Sequence, residues 1–114
     1  MKLPNLHLAT VEREKITDYL LNEAHPDNGG KALFFIVPGF SREDWVMLAN
    51  AFLKLALETD VAITMESSHG IKYIVDGRLS TPLGKNATVR TVWIVDKGSG
   101  NPRLVTAYPC EEIG

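Results

Sequence analysis

The hydrophobic pattern changes period about halfway along the chain. Up to residue 60 apolar positions recur three and four apart, and beyond it they tend to recur every second residue. The clearest helical stripe is Trp45, Leu48, Ala49, Phe52, Leu53 and Ala56. It follows Ser41-Arg42-Glu43-Asp44, an S-x-x-D variant of the capping box, so a helix is predicted from Ser41 to Glu58 or Thr59. Ile16, Tyr19 and Leu20 mark a second helix over residues 12–21, stopped by Asn22 and the Pro26-Asp27-Asn28-Gly29-Gly30 cluster. Residues 31–37, KALFFIV, form a compact apolar run ended by Pro38-Gly39, which favours a short buried helix. Residues 3–11 read as a short edge strand or an extended arm.

The second half predicts four strands, at 61–65, 71–79, 87–95 and 103–108. Short links join them: Ser67-Ser68-His69-Gly70, a longer loop containing Pro82 and Gly84, and Asp96-Lys97-Gly98-Ser99-Gly100-Asn101. Helices first and strands afterwards define an α+β fold, with N-terminal helices packed on a four-stranded antiparallel β-meander. One domain over residues 1–114 is expected.

Strand parity sorts the last hairpin into faces. In the third strand Thr88, Arg90, Val92 and Ile94 share one side, and Val89, Thr91, Trp93 and Val95 the other. In the fourth, regular alternation puts Leu104, Thr106 and Tyr108 together, opposite Arg103, Val105 and Ala107. The third strand is apolar on both sides, so it is expected to be central, with Thr91 and Trp93 turned toward the helices.

Composition fits a globular chain: 114 residues, 45% hydrophobic and 23% charged. A net charge of −2 argues against a generic non-specific nucleic-acid binder, although it leaves room for a local basic patch. The single cysteine, Cys110, allows no internal disulfide and fits a cytoplasmic setting. Glu111 and Glu112 beside it count against a nucleophilic thiolate. No metal or cofactor motif is recognisable, and no apolar stretch is long enough to span a membrane.

The chemistry-bearing residues are few. A guanidinium inside an apolar strand needs a partner or an open cleft. Arg90 is therefore either an anion clamp or half of an ion pair with Asp76 or Glu66. Thr106 and Tyr108, two apart in the last strand, could bind a phosphate, or could simply be good strand residues. His25 and Lys31 flank the turn HPDNGGK, where a His can move protons and a Gly-Gly-Lys sequence can hold an anion. The alternative is a plain surface loop. His7 and His69 read as solvent-exposed and incidental.

Four stretches carry a resemblance: Lys15–Asn22 (KITDYLLN), His25-Pro26 with Gly30–Phe35 (GKALFF), Ala87–Val95 (ATVRTVWIV) and Pro102–Pro109 (PRLVTAYP). Together they resemble an uncharacterised bacterial family, a domain of unknown function found free-standing and at the C-terminus of phage-head and polymorphic-toxin proteins. The layout is similar to the barnase/EndoU/colicin/RelE-like ribonuclease superfamily. That resemblance implies metal-independent RNA cleavage by 2′-hydroxyl attack, with no cofactor. It implies His25 or Tyr108 as acid and base, Lys31 and Arg90 as charge stabilisers, and Thr106 as a phosphate-positioning residue. The implied partners are an RNA substrate and a cognate neutralising protein of a toxin–antitoxin-like pair. The reading set against it is a non-enzymatic interaction module: an antitoxin, immunity or assembly partner.

Overall fold

The computed structural model describes residues 1–25 and 31–110. Pro26–Gly30 and residues 111–114 lie outside the described residues, and with them the expected Gly-Gly anion loop and Glu111 and Glu112.

The N-terminal arm is a single 3-10 turn, Leu6–Leu8, and not a strand. Asn5 explains the break: it sits at φ 51°, left-handed backbone that ends an extended run. Its side-chain amide donates to the Gly100 carbonyl at 2.7 Å, which ties the arm to the last hairpin turn. One parallel rung survives, at Thr10. The Thr10 N–H donates to the Pro102 carbonyl, and the Leu104 N–H donates to the Thr10 carbonyl, both at 3.0 Å.

The helix expected over 12–21 is a π-helical segment, Lys15–Leu20. The Leu21 N–H donates to the Ile16 carbonyl at 2.8 Å, five residues back. The wider winding buries Ile16, Leu20 and Leu21 together, while Tyr19 stays half-buried. Helix α1, Lys31–Ile36, forms as expected, with Ala32 and Phe35 buried. Helix α2, Trp45–Glu58, begins four residues after Ser41. The Ser41 hydroxyl accepts from the Asp44 N–H at 3.3 Å, so it closes the turn ahead of the helix. The buried face of α2 is Leu48, Ala49, Phe52, Leu55 and Ala56; Trp45 and Leu53 are half-buried.

The sheet comprises β1 (Ile63–Ser67), β2 (Gly70–Leu79), β3 (Ala87–Asp96) and β4 (Pro102–Pro109). All neighbours are antiparallel in the order β1-β2-β3-β4, the predicted α+β meander. Its inner face offers Tyr73, Val75, Leu79, Val89, Trp93, Leu104 and Ala107 to the helices. Phe35 and Phe52 meet there edge to face, with centroids 5.8 Å apart. At Gly77 the C-terminal end of α2 packs tightly on the sheet. A Cβ there would lie 2.9 Å from Thr59 Oγ1 and 3.1 Å from Leu55 Cγ.

Regular alternation fails in β4. Val92 pairs with Thr106 but Trp93 pairs with Leu104, so Val105 is the extra residue of a β-bulge. One added residue flips every side chain beyond it. Leu104 therefore faces the core with Ala107, and not the side of Thr106 and Tyr108. Arg103, opposite Ile94, shares the outer face with Arg90, Thr106 and Tyr108.

Candidate functional site

Three elements meet at the β4 edge of the sheet. The π-helical segment and α1 both lie against β4. Cross-strand pairing sets the outer-face residues: Arg90 is opposite Tyr108, and Val92 is opposite Thr106. Lys31, the first residue of α1, reaches into this corner. Its Nζ donates to the Tyr19 hydroxyl at 2.8 Å and lies 3.4 Å from Thr106 Oγ1. The same Nζ is 5.6 Å from the centroid of the Tyr108 ring. Its distance to the Tyr19 ring centroid is 5.1 Å, so the ammonium contacts the phenol oxygen rather than the ring face.

The electrostatics follow from these contacts. The Tyr19 phenol is pushed below its usual range, chiefly by the hydrogen bond from Lys31. Burial opposes this, and the Thr106 hydroxyl and the charges of Lys31 and Lys15 add to it. Lys15 also sits 5.6 Å from the Tyr19 ring centroid. A phenol acidified in this way is a better proton donor than an isolated one.

His25 packs against Tyr19. Asn22 organises the approach: its side-chain oxygen accepts from the Ala24 N–H at 3.0 Å, and its carbonyl from the His25 N–H at 3.2 Å. The His25 ring stands edge-on to Tyr19, with centroids 4.9 Å apart and planes at 89°.

Arg90 is held by Asp76. Nε and Nη2 each donate to one carboxylate oxygen at 2.8 Å, the bidentate form of an ion pair. Asp76 and, secondarily, the Tyr108 hydroxyl raise the guanidinium above its usual range. The ion-pair reading of Arg90 therefore describes its principal contact, and Arg90 acts on the corner through Tyr108.

Lys31, Thr106 and Tyr108 thus share one corner, with His25 one ring away and Arg90 behind Tyr108. Sequence reasoning missed Tyr19, which the helical stripe assigned to the core. Its signal was Lys15 four residues earlier, a cation and a phenol on one helical face. Among the described residues no group of His, Cys, Asp and Glu could hold a metal ion. Among them, too, no helix is long and apolar enough to cross a membrane. A separate groove of about 560 Å³ runs between the arm at Leu6, His7 and Ala9 and α2 at Leu53, Lys54 and Leu57. It brings no acid–base pair together.

The fold and this corner define an α+β domain with a polar cluster at one sheet edge. The chain belongs to the family described as Domain of unknown function (DUF6883), whose model matches residues 2–111. No curated protein matches. Among solved structures, a chain of the contact-dependent growth inhibition toxin–immunity protein complex from Klebsiella pneumoniae 342 has a similar fold. The TM-score is 0.74 at 21% identity, over 94% of this chain and 97% of that one.

Proposed function

We propose that this chain is the toxin of a toxin–immunity pair, a single-domain endoribonuclease that cleaves RNA in the cytoplasm by attack of the ribose 2′-hydroxyl on the adjacent phosphorus. The observation that carries the proposal is the Lys31 ammonium 2.8 Å from an acidified Tyr19 phenol, with the Thr106 hydroxyl, the Tyr108 ring and His25 around it. The fold shared with a chain of a toxin–immunity complex supports the pairing with a cognate protein.

In this reading His25 takes the 2′-hydroxyl proton and the oxygen forms a bond to phosphorus. Lys31 and Thr106 meet the charge that builds on the phosphate oxygens. The bond from phosphorus to the 5′-oxygen breaks, and Tyr19 supplies the proton that the leaving oxygen takes. Tyr108, steadied by Arg90, walls the site and is the alternative proton donor. The products are a 2′,3′-cyclic phosphate and a free 5′-hydroxyl. DNA, with no 2′-hydroxyl, is not cut.

Inducible expression in bacteria tests this. Wild type should arrest growth and leave cyclic-phosphate RNA ends, whereas Lys31→Ala and Tyr19→Phe, folded to the same degree, should do neither. Normal growth with intact RNA at high levels of folded wild-type protein would overturn it. The second reading, a non-enzymatic immunity or antitoxin partner, draws on the net charge of −2 and predicts that outcome.

A further inference from the structure

The two edges of the sheet are treated differently. On β4 a bulge breaks the ladder, the Thr10 rung caps one end, and the π-helical segment and α1 lie alongside. Such devices keep an edge from pairing with another chain. β1 has none of them. Among the described residues no strand lies beyond it, all five of its residues are exposed, and it carries no Lys, Pro or bulge. Ile63 and Met65, 42% and 50% exposed, project on the outer face. The free stretch is bounded at one end, where the Val61 N–H donates to the Met1 carbonyl at 2.7 Å, and at the other by the turn at Ser67–Gly70.

We propose that β1 pairs antiparallel with β1 of a second copy, about a two-fold axis at Thr64, joining two four-stranded sheets into one. The stretch is complementary to itself in that register. Ile63 stands opposite Met65 of the second copy, twice, so each exposed apolar side chain covers another. Thr64 meets Thr64, a favourable cross-strand pair, and Glu66 meets Ala62. A two-fold at Glu66, two residues further along, would set Glu66 against Glu66, which like-charge repulsion disfavours. The β1 edge is the opposite edge of the sheet from the Lys31 corner, so pairing leaves both corners open. The proposal does not depend on the ribonuclease reading.

Cysteine cross-linking reads the register. Directly opposed residues in an antiparallel pair have Cα atoms about 4.5–5.5 Å apart, within disulfide range. In a Cys110→Ser background, Thr64→Cys should oxidise to a disulfide dimer at least tenfold faster than Glu66→Cys. Sedimentation of the unmodified chain should show a concentration-dependent dimer. Ile63→Lys, an exposed substitution, should shift it to monomer with its circular dichroism unchanged. Sedimentation as a monomer at every concentration, or equal cross-linking from positions 64 and 66, would overturn the proposal. Lys31→Ala should dimerise like wild type, so a failure here and a failure of the catalytic reading are separable.

Discussion

The Trp93 indole N–H donates to the Thr91 hydroxyl at 2.8 Å, and that hydroxyl donates to the Val75 carbonyl at 2.7 Å. Both side chains are fully buried, so the relay sits where water cannot replace it. Thr91→Val keeps the volume and removes the link, leaving the indole N–H without a partner. An orphaned buried donor costs about 1–3 kcal/mol. Thermal unfolding should drop by roughly 4–8 °C for each kcal/mol lost in a domain of this size. An unchanged melting temperature would show that the relay adds nothing to stability.

Tyr19 should ionise below the ordinary tyrosine range. Its phenol is depressed by Lys31, so the folded state favours the phenolate. The linked stabilisation is present above the unfolded value of about 10 and is lost as pH falls through the folded value. Phenolate absorbance during an alkaline titration should show a step below the ordinary tyrosine range. Lys31→Met, which keeps the aliphatic stem, should move that step back toward the ordinary range. The same titration curve in wild type and Lys31→Met would show that Lys31 does not acidify the phenol.

Asp96 links the last hairpin to pH from the acid side. Arg103 Nε donates to its Oδ2 at 2.7 Å and Arg103 Nη2 to its Oδ1 at 3.2 Å. The guanidinium holds the carboxyl below its usual range, with a smaller contribution from His69 and against the pull of burial. A depressed carboxyl contributes stability above the unfolded value of about 3.9, and that contribution fades as pH falls through the folded value. Asp96→Asn should therefore lower the urea midpoint near neutral pH and leave it unchanged once wild-type Asp96 is protonated. A constant difference at both ends of the range would point to packing rather than charge.

The α+β class, the four-strand order and the inward turn of Thr91 and Trp93 were legible because period-2 alternation and turn residues are local signals. The corner was legible in part. Thr106 and Tyr108 stood out as polar residues inside an apolar strand and Lys31 as the cation after a Gly-Gly turn, whereas Tyr19 looked like one more apolar position of a helix. Tyr19 is only half-buried and still packs on the core, and its hydroxyl takes the hydrogen bond from Lys31, a partner twelve residues away that no helical spacing announces. The Asp76–Arg90 pair was expected as one of two alternatives, since residues facing each other across adjacent strands are far apart in sequence. The bulge at Val105 was invisible, because VTAY alternates plausibly in either register.

That bulge makes the last prediction. The ladder on its two sides runs Arg103 with Ile94 and Leu104 with Trp93, then Thr106 with Val92 and Ala107 with Thr91. Deleting Val105 therefore leaves every other pair in place and converts β4 into a regular strand. Val105 is half-buried, so its loss should cost no more than about 2 kcal/mol. Deleting Ala107 instead slips Tyr108 into the core position opposite Thr91, and the protein should fail to fold cooperatively. Bulges bend a strand and re-aim the side chains next to them. The shortened chain should thus fold yet lose the Thr106–Lys31 contact, and with it the growth arrest that tests the catalytic reading. Circular dichroism and urea unfolding of the two deletions decide the matter. If removing Val105 is as damaging as removing Ala107, the pairing on the two sides of the bulge does not have the independence argued for it.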